Sequence, residues 1–272
     1  VAGLPLPDEL AARAREIIAG RLAPAPARDA ATVVILRGSG PRGGPEVYLL
    51  RRKSTMAFAA GAYVFPGGSV DPRDTDQAVA WAGPSPKEWG EIFYASENVA
   101  RGLVCAAVRE TFEESGVLLA GPGPDSVVED TTGDDWEADR LALIDRSLAF
   151  ADFLDRRGLV LRSDLLKPWA HWITPEIEQR RFDTRFFVAV LPEGQRTRDV
   201  GGEADHVVWR RPAEAIELWR AGEIFLMPPT SHTLTELAGH DSVASVLAEE
   251  REITPILPEA VEVEGEMRLM TP

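Results

Sequence analysis

A single cysteine, Cys105, in 272 residues excludes an intramolecular disulfide framework and any cysteine-rich zinc site. Histidine is nearly as scarce, and the four present (His171, His206, His232 and His240) show no metal-ligand spacing. Basic side chains are outnumbered, 29 against 44 acidic, so the formal charge is −15. A general nucleic-acid binder wants a basic stripe that displaces counterions, and that stripe is lacking. No apolar run reaches the ~18 residues of a membrane span, and the first residues lack the basic-then-apolar order of a secretory signal. These absences lead us to expect a cytoplasmic protein with neither nucleic acid nor membrane as partner. Internal repeats and Gly/Ser linkers are missing too, which points to one domain over residues 1–272.

What is present is a patterned chain with 44% apolar residues, enough for one sizeable core. Leu10, Ala14, Ile17 and Ile18 recur at helical spacing within residues 8–22, closed by Gly20. Residues 31–36 (ATVVIL) read as a strand, 47–50 as its hairpin partner, and 63–65 as a short strand stopped by Pro66-Gly67-Gly68. Residues 75–100 have the look of an insertion, polar at first and then carrying Trp81, Trp89, Phe93 and Tyr94. A helix is expected over 101–115, capped by Gly116, and another over 137–156 after a Gly/Asp-rich loop. Strands follow near 170–173, 185–190 and 207–209, with helices at 213–221 and in the last forty residues. Strands interspersed with helices around one sheet indicate an α/β or α+β domain.

The 101–115 helix carries the chemistry. At about 100° per residue, Glu110, Glu113 and Glu114 share one side, while Val104, Cys105, Val108 and Phe112 form an apolar stripe opposite. The stripe can pin the helix to a core with the carboxylates facing a cleft, and Cys105 then reads as an inert buried thiol. Three like charges within one turn repel each other, a penalty that hard divalent cations relieve through oxygen coordination. Arg109 stands four residues before Glu113 and can pair with it.

The full run Arg109-Glu110-Thr111-Phe112-Glu113-Glu114-Ser115-Gly116-Val117, with Gly68 and Asp74 upstream, resembles the nudix box, G-x5-E-x7-R-E-U-x-E-E-x-G-U. Gly68 matches the opening glycine and Asp74 stands where the box has its first glutamate. Between Asp74 and Arg109 lie 34 positions where the pattern has seven, so 27 residues are inserted. The resemblance implies an α/β/α sandwich on a mixed sheet, with an amino-terminal helix, the box insertion and a helical carboxy-terminal extension. It also implies hydrolysis of a nucleoside diphosphate linked to another group, with Mg2+ or Mn2+ held by Glu110, Glu113, Glu114 and the Gly68 carbonyl.

The split box, with Gly67-Gly68-x-x-Asp71-x-x-Asp74, resembles the coenzyme A diphosphatase branch of that family. Leu49-Leu50 with Arg52, then residues 61–68 (GAYVFPGG), resemble its coenzyme A signature, although Ala57 and Lys53 replace an arginine and a serine. Residues 172–175, 181–187 and 228–230 look like further segments of the branch. By this resemblance the substrate is coenzyme A or acyl-coenzyme A, with ADP-ribose, NADH or another dinucleotide as the alternative. A non-catalytic nucleotide sensor is the reading of a different class, disfavoured because all three box carboxylates are present. The general base is either a box glutamate or Glu203, which could instead be a further metal ligand. Arg52, Arg181 and Arg185 are candidates to grip phosphate oxygens beside Gly67 and Gly68. The aromatic insertion is a lid for the pantetheine or acyl arm or a homodimer contact, and the residues do not separate the two.

Overall fold

The computed structural model describes residues 3–40, 44–53, 60–198 and 204–271. Its centre is the strand β1 (Ala27–Gly38), whose residues from Ala30 to Leu36 are almost wholly buried. An apolar run buried on both faces is the signature of a strand covered by helices on either side. β1 turns back into β2 (Pro45–Arg52), pairing Leu36 with Val47. β3 (Ala62–Val64) pairs with the far end of β2, and β4 (Gly67–Ser69) pairs with the start of β1, Ala31 opposite Gly68. β5 (Lys167–Ile173) and β6 (Arg181–Val190) run antiparallel to each other, and β6 lies parallel to β1. β7 (Ala204–Arg210) closes on β2. With the short strands Phe225–Leu226 beside β3 and Pro255–Ile256 beside β5, the described residues form a mixed sheet of nine strands.

Two clusters of side chains hold helices to its faces. On one, Ala31, Val33, Ile35 and Phe187 meet Val104, Val108 and Phe112 of the box helix, α3 below. On the other, Val34, Leu36, Phe186 and Val188 meet Ala215, Leu234 and Val246. In chain order the helices are α1 (Asp8–Ile18), α2 (Pro86–Phe93), α3 (Glu97–Ser115), α4 (Asp134–Ile144), α5 (Phe150–Arg156), α6 (Pro212–Arg220), α7 (Pro228–Leu237) and α8 (Val243–Ala248). Alternation along the strands thus sorts the core into the α/β/α layering expected from the sequence. None of the described helices is long and apolar enough to cross a membrane.

Several elements differ from the sequence reading. α3 starts at Glu97 because the Ser96 hydroxyl accepts from the Val99 amide and caps it there. The helix expected over 137–156 is two helices. Arg146 takes a left-handed φ of 65° between them, and the Asp145 side chain accepts the Ser147 amide, a local turn that competes with the helix. The carboxy-terminal extension is only partly helical, since after α8 the strands Glu259–Val263 and Glu266–Met270 form a hairpin. Glu264 and Gly265, both at positive φ, make its two-residue turn, and the amino-terminal strand Leu4–Pro5 joins as a third strand. The insertion is not an aromatic lid throughout. Trp89 and Phe93 are interior and pack on Phe187 of the sheet, whereas Tyr94 is 73% exposed.

α7 is locked by an ion cluster. Glu236 accepts from the Trp169 indole at 3.0 Å and pairs with Arg251, which lies over the Trp169 ring, and with His232. Burial alone would raise the Glu236 carboxyl, but the His232 and Arg251 interactions outweigh it and hold it down at about 2. A depressed folded-state value means the stabilisation is complete above the unfolded value of 4.5 and is lost as pH falls through about 2. Acid titration of unfolding should therefore show wild type losing stability between those limits, while Glu236→Gln, already less stable at pH 7, changes less over the same window.

Candidate active site

The glycine turn and the box helix come together although 40 residues lie between Gly68 and Arg109 in sequence. Glu110 lies directly over β4: a Cβ placed on Gly68 would sit 2.4 Å from Glu110 Oε1, so only glycine leaves room for the carboxylate. One turn further on, Glu114 Oε2 accepts the Gly67 N–H at 2.8 Å. Two box carboxylates are thereby lined up along the backbone of one short strand.

Arg109 organises the rest. Its Nε and Nη2 grip both oxygens of Asp74 at 3.0 and 2.9 Å, and Nη2 also donates to the Ser69 carbonyl at 3.1 Å. Its Nη1 reaches Glu110 at 2.8 Å and Glu113 at 3.0 Å. Asp74 is only 2% exposed and is held in turn by the Asp71 amide in a capped 3-10 turn over Pro72–Thr75. The sequence marked Asp74 as the counterpart of a glutamate. Its part as the anchor of Arg109 depends on a fold across the insertion and has no signal in spacing alone.

The field at this site is negative. Burial pushes the Glu110 carboxyl up to about 7, with the neighbouring Glu113 charge adding to the rise and Arg109 opposing it. Glu113 and Asp74 are raised as well, again mainly by burial. Burial also pushes the Cys105 thiol up to about 12, as befits an inert core residue. The donor set is all oxygen, matching a hard divalent cation rather than zinc or copper. As they stand, with Arg109 among them, no three His, Cys, Asp or Glu side chains of the described residues converge tightly enough to enclose an ion.

The other sequence candidates fall elsewhere. Arg52 shares the α3 side of β2 with Leu50 and pairs across to Ala204, while Arg51 on the opposite side bonds Asp205. Arg181 and Arg185, offered by the sequence as phosphate grips, are buried and bond to the protein itself. Arg181 donates to the carbonyls of Thr174 and Ala25 at 3.0 and 2.8 Å. Arg185 bonds Asp183 at 2.6 Å and Asp29 at 3.3 Å, beside a His171–Asp183 pair. Nothing in local sequence told an internal ion pair from a ligand grip. Glu203 lies outside the described residues.

A family profile described as NUDT19 Nudix domain matches residues 90–237. The acyl-coenzyme A diphosphatase NUDT19 of Xenopus laevis is 28% identical over 238 residues, covering 71% of this chain and 59% of that protein. Its namesake in Homo sapiens is 29% identical over 246 residues, covering 76% and 64% respectively. The chain thus spans about three fifths of the length of these relatives. Among solved structures, a NUDIX hydrolase from Alicyclobacillus acidocaldarius superposes with a TM-score of 0.70 at 28% identity, over 84% of this chain and 98% of that one. The profile takes in the whole of α3 with its carboxylates and runs to the end of α7, more than half of the residues, and on that ground the chain belongs to the NUDT19 branch of the Nudix family.

Proposed function

We propose that this protein hydrolyses the diphosphate of coenzyme A or an acyl-coenzyme A, releasing 3′,5′-ADP and a 4′-phosphopantetheine product. The observation that carries the reading is the alignment of Glu110 over Gly68 and Glu114 on the Gly67 amide, in a chain whose relatives are named acyl-coenzyme A diphosphatases. Glu110, Glu113, Glu114 and the Gly68 carbonyl are the groups to hold a divalent cation, magnesium or manganese. Such an ion, when bound, neutralises phosphoryl oxygens and lowers the pKa of a bound water. Gly68, having no side chain, leaves the Glu110 carboxylate room beside the backbone of the glycine turn, the edge assigned here to the diphosphate. Arg109, tied to Asp74, keeps Glu110 and Glu113 oriented along one side of the helix. Arg52, on the same sheet face, is the residue we assign to substrate oxygens, as a bidentate donor. A box glutamate or Glu203 takes the proton of the attacking water.

The test is a magnesium-dependent hydrolysis assay over coenzyme A, a medium-chain acyl-coenzyme A, ADP-ribose, NADH and diadenosine tetraphosphate. The coenzyme A compounds should lead by at least about tenfold in kcat/KM, equivalent to ~1.4 kcal/mol of transition-state binding. A lead for ADP-ribose or NADH reassigns the substrate, and binding of all five without turnover marks a sensor.

A further inference from the structure

We propose that Arg140, on α4 and outside every motif of the box, is a positioning residue that fixes the last turn of α3 and with it the carboxylates of Glu113 and Glu114. A helix leaves its last four carbonyls without partners inside the helix. In α3, the Phe112 carbonyl accepts the Gly116 amide at 2.9 Å and that of Ser115 accepts the Arg198 amide at 2.8 Å. The Glu113 carbonyl is taken by Arg140 Nη1 at 2.6 Å. Arg140 is 3% exposed, and a guanidinium so buried is tolerated only when it is well paired. Its Nε and Nη2 supply that pairing, donating to the two oxygens of Glu137 at 2.8 and 2.7 Å. Glu137 in turn receives Arg198 Nη1, whose residue's carbonyl accepts the Tyr48 hydroxyl at 3.0 Å.

The arrangement ties α4, the end of the box helix and Arg198 into one clamp. The turn it holds needs an outside brace. Thr111 Oγ1 donates back to the Ala107 carbonyl and Ser115 Oγ to that of Thr111, a pattern that bends helices. The same turn carries two of the three box carboxylates, and displacements on the order of 1 Å cost about a hundredfold in rate. A cation at this end also opposes the partial negative charge of the helix carbonyls. The fork matters more than the charge, because the bonds come from three separate nitrogens held in one plane, a geometry that a single ammonium nitrogen does not reproduce.

The inference rests on the diphosphatase reading for its kinetic test alone. Arg140→Lys, Arg140→Met and Glu137→Gln are to be compared with wild type on the compound that wild type turns over fastest. Thermal midpoints and amide hydrogen exchange across residues 112–117 are read alongside. At a temperature where each variant is folded, both Arg140 substitutions should lower kcat about 10–100-fold with little change in KM, as expected when geometry rather than ground-state binding is lost. The milder Glu137→Gln, which leaves the bond to the Glu113 carbonyl available, should fall between them and wild type, and keeps the test open if Arg140→Met does not fold. Exchange over 112–117 should quicken in all three. Wild-type kcat in a folded Arg140 variant, or full recovery with lysine, overturns the proposal. Should wild type hydrolyse none of the five compounds, the substrate reading fails on its own. Exchange then decides the clamp, and unchanged rates in Arg140→Met would sink it.

Discussion

Replacing Glu110 by glutamine should cut turnover by more than about a hundredfold, because the proposed site then loses one of its cation ligands. The same substitution should stabilise the protein in alkaline buffer. Glu110 is held near 7 in the folded chain against 4.5 for an ordinary glutamate, so the folded state keeps a proton that the unfolded chain releases. Stability therefore falls as pH rises from 4.5 through 7, and above that the ionised carboxylate costs on the order of 1–3 kcal/mol. Glutamine carries no charge and escapes the cost. Unfolding in a chelator at pH 5 and pH 8 checks the sign: the advantage of Glu110→Gln over wild type should grow with pH. An equal gap at both values would mean that burial does not oppose this carboxylate. Glu114→Gln should lose activity as steeply with little change in stability, since its amide oxygen can still accept the Gly67 N–H.

The two glycines of β4 should answer alanine in opposite ways. At Gly67 the added carbon would lie 2.5 Å from the Ala31 carbonyl oxygen and 2.8 Å from Thr32 Cα, atoms of a paired strand that cannot step aside. Gly67→Ala is expected to destabilise the fold by about 1–3 kcal/mol. At Gly68 the three nearest atoms all belong to the Glu110 carboxylate, at 2.4–2.8 Å, and a side-chain end can swing away. Gly68→Ala should keep a near-normal thermal midpoint yet lose activity as Glu110→Gln does. Normal kcat in Gly68→Ala would show that the carboxylate's place over β4 is irrelevant to turnover.

The reach of sequence reasoning follows from the range of the forces involved. The amphipathic stripe of α3 and the buried run of β1 are set by local periodicity, and both could be read directly. Gly68 and Glu110 could be paired only through a motif, since periodicity says nothing about which glycine meets which helix. Long-range polar pairing stayed hidden. Arg181 and Arg185 look like any cationic side chains until Thr174, Asp29 and Asp183 are seen beside them. Arg140 has no partner in its own neighbourhood of sequence beyond Glu137, and its bond to Glu113 spans 27 positions. The carboxy-terminal hairpin is a different kind of miss. Glu264-Gly265 between alternating strands is a turn signal that a helical expectation overrode.

Asp74 and Arg109 meet at 2.9 Å, so everything between them is an excursion whose two feet are stapled together. Chemistry at the carboxylates feels the staple and not the length of the detour. Extending a flexible detour costs little, about 0.6 kcal/mol for each doubling. Asp76, Gln77 and Ala78 are exposed just beyond the first foot, ahead of the buried aromatics of α2. Foreign peptide grafted at that point should leave the carboxylates in register, which makes this divided motif a tolerant place to attach a tag or a second module.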